Sequence, residues 1–145
     1  MEKLPPPIIL EFTYPTSIEK VWTAITEADQ MRKWFFEDIK DFQATEGFET
    51  KFAIQVGERT YTHQWKIREA IPLQRISYNW NYEEYNGDGH VTFDLMENEG
   101  GTQLRLTDII TRNYPDDIPE FKRESGVEGW NFLLGQRLKE YLTQV

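Results

Sequence analysis

Two ionisable side chains in this sequence fall among apolar neighbours. His63 shares the parity of Tyr61, Trp65 and Ile67, while Thr62, Gln64, Lys66 and Arg68 take the other. Asp108 follows Leu104 and Leu106 at two-residue steps, so in a strand it points to their side. An acid on a core face needs a partner or a water-filled cavity. His63 can be that partner, and with the Tyr78 hydroxyl the two form a candidate acid/base group, with desolvation raising the carboxyl pKa. The alternatives are a satisfied core histidine, and a bulge after Thr107 that turns Asp108 outward. No nucleophile motif accompanies them: there is no Gly-x-Ser-x-Gly. Gly87-Asp88-Gly89 precedes a strand and not a helix, so it is no dinucleotide loop. The pairs Glu83-Glu84 and Asp116-Asp117 read as solvated loop charges. With no cysteine and two histidines, thiolate and three-histidine metal sites are excluded. No catalytic set, metal or cofactor is expected.

These residues need strands to hold them and a surface to face. Between Ile39 and Thr111 apolar residues recur at two-residue steps: Phe48, Phe52, Ile54 and Val56; Tyr61 to Ile67; Ile76, Tyr78 and Trp80; Val91, Phe93 and Leu95; Leu104, Leu106 and Ile110. Gly57-Glu58, Asn86-Gly87-Asp88-Gly89 and Asn98-Glu99-Gly100-Gly101 are turn signals between them. Short turns make an antiparallel meander with one apolar face. Ile8–Tyr14 reads as a first strand after the stiff Pro5-Pro6-Pro7 lead. Two short helices follow. Ile18, Val21, Trp22 and Ile25 mark the first, with Thr16/Glu19 as a capping box or Ser17 as the cap. Met31, Trp34 and Phe35 mark the second, capped by Thr26 with Asp29. Asp117 is the expected cap of a turn beginning at Pro119. From Gly126 to Val145, Trp130, Leu133, Leu134, Leu138, Tyr141 and Leu142 fall on one side of a helix. Gly126, Gly129 and Gly135 imply a break near 124–129 or close approach to the sheet.

The totals bound the function. A chain of 145 residues fits one domain over 1–145 and can bury a core. A net charge of −9 disfavours nucleic acid and anionic membrane surfaces as partners. No run approaches the roughly 20 apolar residues of a membrane helix, so no membrane insertion is expected. No signal peptide is evident in MEKLPPPIIL, and a cytoplasmic location is the default.

The order strand, two helices, six strands, long helix resembles the START-like (SRPBCC) superfamily. The pieces that carry this are VWTAIT at Val21–Thr26, MRKWF at Met31–Phe35, EGFETKF at Glu46–Phe52 and GWNFLLGQRLKEYL at Gly129–Leu142. Within it, the chain is similar to the family named for the activator of the ninety-kilodalton heat-shock protein ATPase, in its bacterial single-domain form. The resemblance implies an α+β helix-grip fold of β-α-α-β6-α order, a curved antiparallel sheet wrapped around a long C-terminal helix with a cavity between them. Family members often carry His where this chain has Asp108. The expected function is noncatalytic binding of an apolar or aromatic small molecule, lipid-like or polyketide-like. Trp65, Tyr78, Trp80, Phe93 and Leu106 would line the cavity from the sheet, Trp130, Leu134 and Leu138 from the helix, with His63 and Asp108 as polar handles. The alternatives are a protein-interaction module of co-chaperone type and a cyclase-type enzyme. The outward set Thr62, Gln64, Lys66, Ser77, Asn79, Thr92 and Asp94 is polar, which counts against a protein partner on that face.

Overall fold

In the computed structural model, which describes residues 3–144, the chain ends Met1, Glu2 and Val145 fall outside the described residues. Six strands form one antiparallel sheet in the order β1-β6-β5-β4-β3-β2. They are β1 (Ile8–Tyr14), β2 (Glu49–Val56), β3 (Arg59–Ile71), β4 (Arg75–Tyr82), β5 (Asp88–Asn98) and β6 (Gly101–Arg112). Five strands follow the first two helices, one fewer than expected. The stretch from Ile39 to Gly47 lacks alternation and forms a loop, which sends Ile39 and Phe42 into the core. Apart from that count the architecture is the expected α+β helix grip. The alternation holds because every hairpin keeps its register, with shifts only between Ile67 and Glu69 and between Asp88 and Gly89. Ser77, expected outside, is buried: its hydroxyl donates to the Val91 carbonyl and meets the Thr92 hydroxyl.

Helices α1 (Ile18–Thr26) and α2 (Ala28–Trp34) follow β1. Ser17, not Thr16, caps α1, accepting from the Lys20 amide at 3.3 Å. Thr26 does not cap α2; its hydroxyl turns back to the Trp22 carbonyl, and Glu27 takes the cap position without a side-chain bond. Likewise Ile118, not Asp117, precedes the short 3₁₀ turn Pro119–Phe121. The Trp34 indole donates to the Ala24 carbonyl at 2.7 Å, pinning α2 against α1.

The C-terminal rod begins at Arg123, with no break at Gly126 or Gly129. It comprises α3 (Arg123–Phe132), one π-helical turn (Leu133–Arg137) and α4 (Leu138–Leu142). Trp130, Leu134 and Leu138 are buried against the sheet, while Leu133, Tyr141 and Leu142 pack at its margin. The irregularity sits at Gly135. An added Cβ there would lie 3.1 Å from the Phe12 ring, so Gly lets the rod settle close over β1. Widening a helix to a π turn leaves main-chain groups seeking new partners. The buried Tyr14 hydroxyl supplies one, donating to the Leu134 carbonyl at 2.7 Å. Tyr14→Phe leaves that carbonyl without its partner, and urea unfolding should show a loss of about 1–3 kcal/mol.

Candidate functional site

The space between sheet and rod is filled over most of its length. Phe35 stacks on Trp34 at 4.6 Å and on Trp65 at 5.5 Å, and reaches Trp130 at 6.0 Å. Phe42 meets Trp65 and Tyr78 edge-on at 6.0 and 5.7 Å. Phe35 follows α2 and points inward as its helical spacing implied, whereas Phe42 comes from the segment between α2 and β2, whose irregular sequence gave no sign of where it would go.

What remains hollow is a half-open cleft of about 1480 Å³ at one end of the sheet. Its floor is the end of β4 (Trp80, Tyr82), the start of β5 (Gly89, His90) and the end of β6 (Asp108, Ile110). Its roof is α3 with Gly126, Gly129 and Trp130. Tyr114 and Phe121, stacked at 5.0 Å, form one wall, and residues 3–6 form a strap along the rim. The strap's prolines have carbonyls but no amide donors. Donors therefore come from across the cleft: Arg123 to the Pro6 and Pro7 carbonyls, and Asn113 to that of Lys3 at 2.9 Å. Glu120 fixes the 3₁₀ turn to β3, pairing with Arg59 at 3.0 Å and accepting from the Tyr61 hydroxyl. Gly87 carries a φ of +131°, and an added Cβ would overlap the Tyr114 ring. The turn falls at residues 83–85, ahead of the expected Asn86–Gly89, and β5 begins at Asp88; Gly87 between them is what admits Tyr114 to the cleft.

Asp108 is the charged group on the floor. The ladder runs through it without a bulge, opposite Ile8 and Val91, so it faces the rod. One carboxylate oxygen accepts the Trp130 indole N–H at 2.9 Å. Burial pushes its pKa up, and the Trp130 hydrogen bond opposes this. The aromatic donors nearby are engaged with one another: the Trp80 indole donates to the Tyr82 hydroxyl at 2.8 Å, and the Tyr114 hydroxyl to the Trp80 carbonyl at 2.6 Å. Burial raises the pKa of both tyrosines, and the Asp108 charge adds to it.

Of the ten expected site residues, the structure brings Trp80, Asp108 and Trp130 together at the cleft. Trp65, Tyr78, Phe93, Leu106, Leu134 and Leu138 are packed core and do not line it. His63 is also core, stacked on Phe52 at 4.9 Å with its Nδ1 3.0 Å from the Tyr61 carbonyl. It makes no hydrogen bond with Asp108, whose partner is Trp130, so the candidate acid/base pair is not assembled and His63 takes the alternative role of a core histidine. Among the cleft residues that were missed, Tyr82 and Ile110 simply continue the β4 and β6 alternations, whereas Tyr114 and Phe121 lie in a connection with no period.

Comparison with known proteins gives the family. The family model described as Activator of Hsp90 ATPase homolog 1-like protein matches residues 15–143. The chain belongs to this family. Among curated proteins no sequence matches significantly. Solved structures share the family fold. Protein CV1439 from Chromobacterium violaceum is 21% identical, with a TM-score of 0.80 over 96% of this chain and 98% of that one. Protein BH1534 from Bacillus halodurans is 24% identical, with a TM-score of 0.71 over 97% and 99%. DynU16, a protein of the dynemicin biosynthetic locus, is 20% identical, with a TM-score of 0.73 over 95% of this chain and 48% of its own. Identities this low establish the fold alone. Among the described residues no helix is long and apolar enough to cross a membrane.

Two buried groups give tests that separate packing from chemistry. The Tyr78 hydroxyl has no hydrogen-bond partner among the described residues, and an unsatisfied buried hydroxyl is costly. Tyr78→Phe should leave urea stability unchanged or raise it by about 1 kcal/mol; a clear loss would mean that the hydroxyl has a partner. His63 is held down to about 4 by burial, against the Tyr61 carbonyl and the Glu84 charge, which push it up. Between that value and the ordinary 6.5 the unfolded chain binds the proton and the native one does not. The stability this neutral ring contributes is complete above 6.5 and is lost as pH falls towards 4, by about 3 kcal/mol. Urea titrations from pH 7 to 4 should show that loss, and His63→Phe should flatten it.

Proposed function

We propose that the protein binds an apolar or aromatic small molecule, without chemical turnover, in the cleft between the β4–β6 floor and α3. The observation that carries this reading is the wall chemistry: Trp80, Tyr82, Tyr114 and Trp130 line the cleft with Asp108 on its floor, and the other charged residues that line it, such as Arg112, Asp116 and Glu124, come from its remaining sides. Apolar walls with few convergent polar groups suit a small ligand held by shape and one directional contact. The floor offers no base within hydrogen-bond reach of Asp108 and no nucleophile beside it, which favours binding over a cyclase-type reaction. DynU16, which shares this fold, is a protein of the dynemicin biosynthetic locus, and the aromatic walls of the cleft make aromatic small molecules sensible probes. A co-chaperone-like role has less support: Ile9, Met96 and Phe132, the most exposed large hydrophobics, sit on three different elements.

Gly129 provides the test. It lines the cleft from α3, and a Cβ added there meets nothing within 4 Å. Gly129→Phe therefore fills the cleft while removing a helix-interior glycine, which should hold or raise stability by up to about 1 kcal/mol. Amide-shift titrations with alkyl and polycyclic aromatic probes should perturb Trp80, Tyr114 and Trp130 in the wild type. Affinity should fall at least about tenfold in Gly129→Phe, the loss expected when roughly 1.4 kcal/mol of contact is removed. Probes that leave the cleft resonances unmoved, or bind the filled variant equally well, would refute the proposal.

A further inference from the structure

Among the described residues the Asp108 carboxylate has no counter-ion. The ion pairs among the described residues all lie elsewhere, and no Lys, Arg or His nitrogen comes within 4.0 Å of it. Its protonation is governed by burial and by Trp130, with no contribution from a protein cation. Of the basic groups lining the cleft, Arg123 holds the Pro6 and Pro7 carbonyls and Arg112 reaches the Gly87 carbonyl at 3.4 Å, while Lys3, His90 and Lys122 line it without pairing with Asp108. Trp130 occupies one carboxylate oxygen, and no hydrogen bond to the other is made by the described residues.

The walls show the same preference. Both cleft indoles direct their N–H groups to protein acceptors, Trp130 to Asp108 and Trp80 to the Tyr82 hydroxyl. The Tyr114 hydroxyl is likewise committed, to the Trp80 carbonyl. Of the wall donors only the Tyr82 O–H has no acceptor among the described residues, so apart from it the aromatic walls offer a ligand ring surface. Trp80 and Trp130 stand edge to face at 5.5 Å. Ring faces carry negative electrostatic potential and attract organic cations. An anionic ligand would meet an uncompensated carboxylate, and a neutral one would leave that charge buried and unpaired. The net charge of −9 also draws cations towards the chain.

We infer that the ligand of this cleft is a cationic amphiphile: an apolar or aromatic body bearing an alkylated ammonium that pairs with Asp108 among the rings of Trp80, Trp130, Tyr82 and Tyr114. This rests on the small-molecule reading and narrows it to one charge class. The ammonium supplies the missing counter-ion, and its N-alkyl groups pack on the ring faces.

A chain-matched trio of probes tests it: dodecyltrimethylammonium, dodecanol and dodecanoate, each titrated below its aggregation limit by amide shifts and tryptophan fluorescence. The ammonium should bind at least about tenfold tighter than the alcohol, in line with a desolvated cation–aromatic contact. Dodecanoate should bind weakest. In Asp108→Asn, which keeps the side chain's size and an oxygen for the Trp130 N–H, that preference should shrink to less than about threefold. A native-like amide spectrum of the variant shows that it still folds around the cleft. Equal wild-type affinity for alcohol and ammonium in the cleft would overturn the charge assignment and leave the small-molecule reading standing. An ammonium preference that survives in Asp108→Asn would overturn it too, by tracing the preference to overall charge. Failure of all three probes to reach the cleft would remove both readings together.

Discussion

The packing of Phe35 is the contact on which the other layers depend. Its ring touches the end of α2 through Trp34, the sheet through Trp65 and Trp80, and the C-terminal rod through Trp130. A curved sheet and a helix leave a wedge-shaped gap that must be filled or flooded. Here it is filled at its closed end by Phe35 and Phe42 and left open beyond Trp80 and Trp130. A close-packed interior tolerates few voids. The hollow is therefore confined to the end that these aromatics do not reach, where α3 rests above β5 and β6.

The fold was legible because its signals were periodic. Two-residue alternation marked the strands, three- and four-residue spacing marked the rod, and Gly-containing turns marked the hairpins. The site was much less legible. Alternation identifies the inward face of a strand but not whether a facing group fills the space. Trp65 and Phe93 were rightly placed inward and wrongly placed on a cavity, because what covers them is Phe35, Phe42 and Trp130, and Phe42 comes from an aperiodic loop. Asp108 was found by parity, and its partner was misjudged for the same kind of reason. His63 lies on β3, separated from β6 by the two strands β4 and β5, whereas Trp130 lies directly above on the rod. Adjacency across the layers decided that bond, and parity contains no information about it.

Glycine in the rod illustrates a further limit. Three glycines pointed to a defect, and each has a different consequence. Gly126 allows close approach to Ile8, where an added Cβ would sit 3.2 Å from the side chain. Gly135 accommodates Phe12 at the π turn. Gly129 touches nothing and opens the roof of the cleft. In sequence they are indistinguishable, since all three lower helix propensity alike.

These details bear on why a shared fold carries little information about ligands. Structures 20–24% identical to this chain superpose over almost its whole length, so the grip itself is satisfied by many different side chains. Ligand chemistry is set by the side chains of a site and not by the fold that carries it, and in this chain the positions free of the packed core lie at the open end. Asp108 is such a position: its neighbours Leu104 and Leu106 are fully buried and fixed by the core, while it sits one step past the filled region, half-buried, with a single hydrogen bond to the rod. A carboxylate there alters the electrostatics of the cleft without disturbing the layers that form it. The chemistry of the cleft can therefore change by substitution at the ends of β4 and β6 while the aromatic packing around Phe35 stays intact.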